Sequence, residues 1–101
     1  MKYDYRLHPL VQADYNQAYE WYEDKQKGLG ERFLKAVRQK IEEISLNPHV
    51  HPSKCRKKYR EARVDFFPFL IVYSIDKANN ELYILTIHNT KKHPLKKYRK
   101  R

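Results

Sequence analysis

The sequence predicts an α+β domain. An N-terminal strand leads into an antiparallel helical hairpin, which packs on an antiparallel-rich sheet of about four strands, and a basic C-terminal tail follows. Three observations lead there. Two stretches in the first half carry apolar residues at helical spacing, with a glycine-containing break between them. Three stretches in the second half read as strands joined by turn residues. The 101 residues suffice for one core and are too few for two, so residues 1–101 form a single domain.

Each element has its own signal. Tyr3 to Leu7 alternates Tyr and Leu with Asp and Arg, the period of a short strand. Pro9 suits the first turn of a helix, where its missing N–H costs nothing. Val11, Tyr15, Ala18 and Tyr22 then recur on one helical face, with Leu10, Tyr19 and Trp21 beside it. Gly28-Leu29-Gly30 stops that helix and starts another, whose stripe is Phe33, Val37, Ile41 and Ile44, widened by Leu34. Asn47-Pro48 ends it, because the residue before proline is pushed out of the α region. The short break between two amphipathic helices predicts the hairpin. Residues 49–58 read as loop. Tyr59 to Val64 is a strand. Phe69 to Ile75, apolar except for Ser74, is the central, covered strand. Asp76 to Asn80 forms a turn, and Glu81 to His88 returns antiparallel.

Composition excludes several classes. A 41% hydrophobic fraction with nine Tyr, four Phe and one Trp argues against disorder, despite 34% charged residues. No apolar run approaches the roughly 20 residues of a membrane span, and MKYDYRLHPL lacks a signal-peptide core. Cys55 is the single cysteine, which excludes an intrachain disulfide and makes a cytoplasmic location the simplest expectation. The formal charge of +10 lies wholly in the second half. Lys54, Arg56, Lys57, Lys58, Arg60 and Arg63 form one cluster. Lys91, Lys92, Lys96, Lys97, Arg99, Lys100 and Arg101 form another that contains no acid. Such clustering suits a nucleic acid or an acidic protein partner.

Several motifs together resemble a known family. They are Gly28-Leu29-Gly30 with Phe33, Asn47-Pro48, Tyr59-Arg60-Glu61, Phe67-Pro68-Phe69 with Tyr73, and His88 followed by Lys91-Lys92, Pro94, Tyr98 and Arg101. Spread in order over nearly the whole chain, they look like the ParE/RelE toxin superfamily, and closest to its ParE-like subgroup. The subgroup's tail usually reads His, a basic pair, Pro, an aromatic residue (often Trp) and Arg. Here Lys stands at 91 and 92, and Tyr98 replaces the Trp. The resemblance implies the toxin of a type II toxin–antitoxin module and a neighbouring antitoxin whose extended segment wraps it. It implies one of two targets: DNA gyrase, inhibited by ParE-like members, or mRNA in the ribosomal A site, cut by RelE-like members.

RNA cleavage needs a base titrating near neutrality and cations for the developing phosphate charge. His88 at the end of the last strand is the candidate base. Arg60 and Arg63 are the candidate cations, and Tyr98 or His93 the acid. Arg60 and Arg63 are three apart, so on a regular strand they face opposite sides and only one can join His88. The bland alternatives are a strand-end histidine bonded to backbone, and an Arg60 ion pair with Glu61 or Asp65. Lys57, Lys58, Lys91, Lys92, Lys96, Lys97, Arg99 and Arg101 are candidates for contacting a target or a nucleic acid, with Tyr98 able to stack on a base. Tyr15, Tyr19 and Tyr22 fit a core or helix rim better than a stacking platform. His49-x-His51-x-x-x-Cys55 lacks a nearby fourth ligand, so no metal is expected. No P-loop, GxGxxG or GxSxG is present, and no cofactor is expected. The resemblance of His88, Lys91, Lys92, Pro94, Tyr98 and Arg101 to the ParE-like tail, together with the opposed faces of Arg60 and Arg63, favours a gyrase-binding toxin. A ribosome-dependent mRNA endonuclease is the alternative, and a degenerate antitoxin-binding module the third.

Overall fold

The computed structural model describes residues 2–51, 53–54 and 59–91, with backbone alone at Ser53 and Lys54. The elements are β1 (Asp4–Leu7), α1 (Val11–Lys25), α2 (Leu29–Leu46), a 3₁₀ turn (Pro48–Val50), β2 (Ser53–Lys54), β3 (Tyr59–Arg63), β4 (Phe69–Asp76) and β5 (Glu81–Asn89). The strands form one sheet of five in the order β1-β5-β4-β3-β2. β2–β3, β3–β4 and β4–β5 pair antiparallel, and β1 pairs parallel with β5. Four longer strands and the antiparallel-rich sheet match the expectation. The fifth strand, β2, is two residues long inside the segment read as loop, too short for a hydrophobic period to reveal.

The helical hairpin covers one sheet face. Val11, Ala18 and Tyr22 of α1 and Phe33, Val37, Ile41 and Ile44 of α2 bury against Ile71, Tyr73, Ile84 and Ile87. These are the stripes the helical spacing marks. At the break, Gly28 has φ 88°, in the left-handed region that favours glycine. The Glu23 carboxylate accepts from the N–H groups of Gly28 (3.0 Å) and Gly30 (2.9 Å), satisfying the start of α2. Gly30 also lets the helices approach: a Cβ there would sit 2.8 Å from the Tyr19 carbonyl oxygen.

Helix α1 begins later than Pro9 suggests. The His8 carbonyl accepts from Val11 N–H (2.9 Å) and its Nδ1 from Leu10 N–H (3.1 Å), so Pro9 stays in a turn and Val11 opens the helix. β1 keeps its alternation, yet all four of its residues are exposed because it is an edge strand. Its entry is tied down by Tyr3 N–H, which donates to the Ser45 carbonyl at the end of α2 (2.8 Å).

The β3–β4 turn closes with Val64 N–H donating to the Phe69 carbonyl (3.0 Å). Phe67 folds inward, its ring 5.0 Å from that of Tyr22 and 5.3 Å from that of Phe33. Phe66 does the opposite: it is 99% exposed and has φ 69°.

Candidate functional site

The register decides which candidate residues share a surface. Arg63 pairs with Leu70, and Leu70 pairs with His88. Paired residues project to the same side of a sheet. Arg63 and His88 therefore share a row, on the side away from the helices, with Leu70 between them. Neighbouring strands lie about 4.8 Å apart, so the backbones of these two residues are separated by about 10 Å. Arg63 is exposed; His88 is 7% exposed.

Arg60 belongs to the other side. It pairs with Tyr73, whose side chain lies in the helix-covered core. Its Nη1 donates to the carbonyls of His51 (2.6 Å) and His49 (3.3 Å), which anchors the segment after α2 to β3. Neither Glu61 nor Asp65 takes the place expected of an ion-pair partner: the Asp65 carboxylate lies 3.5 Å from Lys40 Nζ, and backbone carbonyls hold Arg60. Tyr73 reinforces the anchor, its hydroxyl donating to the Pro48 carbonyl (2.5 Å) while burial pushes its pKa up. The His51 ring stands edge-on to Tyr73, and burial, then Lys40, pulls its pKa down.

A cleft of about 400 Å³ opens where α1 passes the end of β5. Asp14, Trp21, Phe69, His88 and Lys91 are among its walls. The Asp14 carboxylate accepts from Thr86 Oγ1 (3.2 Å) and Ile87 N–H (3.1 Å), so it holds α1 against β5. Sequence reading missed Asp14. Its signal is position: an acid three residues after Val11 and four before Ala18, inside the apolar stripe. Trp21, read as flanking the stripe, is 57% exposed with Lys25 Nζ 4.9 Å from its ring centre. Tyr22 is core, whereas Tyr15 and Tyr19 line the hairpin's rim, and burial raises the Tyr15 pKa to about 12.

Lys91 is exposed at the end of β5, where its N–H donates to Asn89 Oδ1 (2.9 Å). Lys57, Lys58, Lys92, Lys96, Lys97, Tyr98, Arg99 and Arg101 lie outside the described residues, as do Cys55 and His93. Among the described residues no group of three His, Cys, Asp or Glu side chains is arranged to hold a metal. His49 instead meets the ring of Tyr3 edge-on.

Known proteins share this architecture. The sequence profile of the ParE toxin of type II toxin-antitoxin system, parDE, matches residues 5–94. No curated protein is a significant sequence match. Among solved structures, a chain of the chromosomal ParDE TA system from P. aeruginosa superposes with a TM-score of 0.74 at 14% identity. The match covers 87% of this chain and 96% of that one, a likeness of fold.

Proposed function

Because the chain belongs to the ParE toxin family of type II toxin–antitoxin systems, we propose that it acts by binding and inhibiting DNA gyrase, with no chemistry of its own. The family implies an antitoxin partner, and on this reading that antitoxin is acidic. A net charge of +10 favours an acidic partner and opposes self-association.

One observation supports inhibition over RNA cleavage: the residues a nuclease needs do not converge. A general base and the cation that stabilises the phosphate must both reach the reacting group. Arg60 is held by the carbonyls of His49 and His51 on the helix side of the sheet, whereas His88 projects to the other side. Arg63 shares His88's row, but it is exposed where His88 is 7% exposed, and Leu70 stands between them. On the proposed reading the basic residues of the second half, Lys91 and the tail from Lys92 to Arg101, form the target-binding surface.

The test is growth arrest in cells expressing variants without antitoxin. His88→Ala should stay toxic, because a gyrase-binding surface loses one buried imidazole and none of its cations. Deleting Lys96 to Arg101 should relieve the arrest, because it removes five positive charges and the Tyr98 ring. A harmless His88→Ala beside a fully toxic tail deletion would reverse the assignment to the nuclease.

A further inference from the structure

We propose that Phe66, at the tip of the β3–β4 turn, is the aromatic anchor that this toxin seats in an apolar, acid-rimmed pocket of its target protein. The inference deepens the proposed function and rests on the reading that the chain acts by binding a protein.

Two independent observations set Phe66 apart. Its side chain is 99% exposed, while Phe67 and Phe69 beside it pack against Tyr22 and Phe33. Its backbone lies at φ 69°, a region that bulky L-residues avoid and that Gly, Asn or Asp occupy readily. For the isolated domain a phenylalanine here is unfavourable twice: it wets a large apolar surface and it strains the turn. Asparagine would remove both costs. Strain and exposure at one residue are what a binding contact leaves behind when its partner is absent.

The mount is rigid. Val64 N–H bonds the Phe69 carbonyl across the turn, and the Pro68 carbonyl accepts from Thr90 N–H (2.9 Å) and Thr90 Oγ1 (3.0 Å). The turn is thereby fastened to the end of β5. A pre-organised aromatic loses little freedom on docking, the property of interface anchors.

Charge decides what it docks into. Arg63 precedes the turn and Lys91 follows Thr90, both exposed at the same end of the sheet, so a partner meeting Phe66 also meets cations. An acidic rim around the pocket complements them. A nucleic acid also offers negative charge, and an exposed phenylalanine can wedge between bases. Against that, the neighbouring Asp65 carboxylate, 3.5 Å from Lys40 Nζ of α2, would meet the phosphates that flank a wedged residue on both sides, whereas the acids of a pocket need only face Arg63 and Lys91. The placement therefore favours a protein pocket.

The decisive variant is Phe66→Asn, which suits the left-handed backbone, with Phe66→Tyr as the conservative partner. Four measurements are made on the purified full-length chain: thermal stability, antitoxin binding, binding of a labelled DNA duplex, and inhibition of supercoiling by gyrase. Growth arrest is scored in parallel. Phe66→Asn should melt no lower than wild type, bind antitoxin and duplex as wild type does, and need at least tenfold more protein to inhibit gyrase. Phe66→Tyr should regain most of the loss. Full inhibition by Phe66→Asn overturns the anchor while leaving the gyrase reading intact. If wild type arrests growth without touching gyrase, the gyrase reading fails. The anchor then stands if Phe66→Asn is harmless and falls if it still arrests growth. A wild type with neither effect overturns both. Weakened duplex binding would transfer Phe66 to a nucleic-acid contact, weakened antitoxin binding would transfer it to the antitoxin, and a lower melting temperature would make it structural; each refutes the proposal.

Discussion

A carboxylate inside an apolar helical stripe destabilises a fold unless donors meet it. Asp14 meets two, Thr86 Oγ1 and Ile87 N–H, and so becomes a link between α1 and a strand some 70 residues later in the chain. Asp14→Ala leaves the Ile87 N–H without this acceptor and should cost about 1–3 kcal/mol. In a domain of this size that is a fall in Tm of roughly 4 °C or more, readable by thermal melting. Asp14→Asn, which keeps an acceptor oxygen, should lose less. An unchanged Tm in Asp14→Ala would mean the link contributes nothing. Residue-scale roles of this kind were only partly legible. The opposed faces of Arg60 and Arg63 followed from a spacing of three. The partner of Arg60 did not, because it is the backbone of a segment whose 3₁₀ turn carries no periodic signal.

At the scale of elements the reading was closest where periodicity was longest. The α2 stripe of Phe33, Val37, Ile41 and Ile44 is buried as its spacing requires, and Lys35 falls on the exposed side. Phe33→Asp should therefore unfold the domain: it places an unpaired charge among Tyr22, Phe67 and Phe69, a loss of several kcal/mol. Lys35→Asp should leave the melting curve nearly unchanged. Equal stability of wild type and Phe33→Asp would put the core on the wrong face. Short elements escaped detection for a physical reason. β2 has two residues, and the register shift between Val72 and Tyr73 on the β4–β5 ladder adds one residue without marking the sequence. Parallel pairing of β1 with β5 was equally hidden, since alternation along one strand says nothing about the direction of its neighbour.

For the whole molecule, the division of labour follows the charge. The first half, net neutral, supplies β1 and both helices; the second half supplies the sheet's remaining strands and the entire +10 excess. Among the described residues no helix is long and apolar enough to cross a membrane. A scaffold of this kind presents cations on a sheet held rigid by a helical hairpin, and the nuclease candidates Arg60 and His88 fall on opposite sides of that sheet. On the proposed function the toxin works by occupying gyrase. The most direct measurement adds purified protein to gyrase and relaxed plasmid, and in parallel maps mRNA ends by primer extension in arrested cells. Occupancy of gyrase predicts supercoiling that falls with toxin dose, restored by the cognate antitoxin, with mRNA ends unchanged. New mRNA ends at ribosomal positions, with supercoiling untouched at every dose, would contradict it.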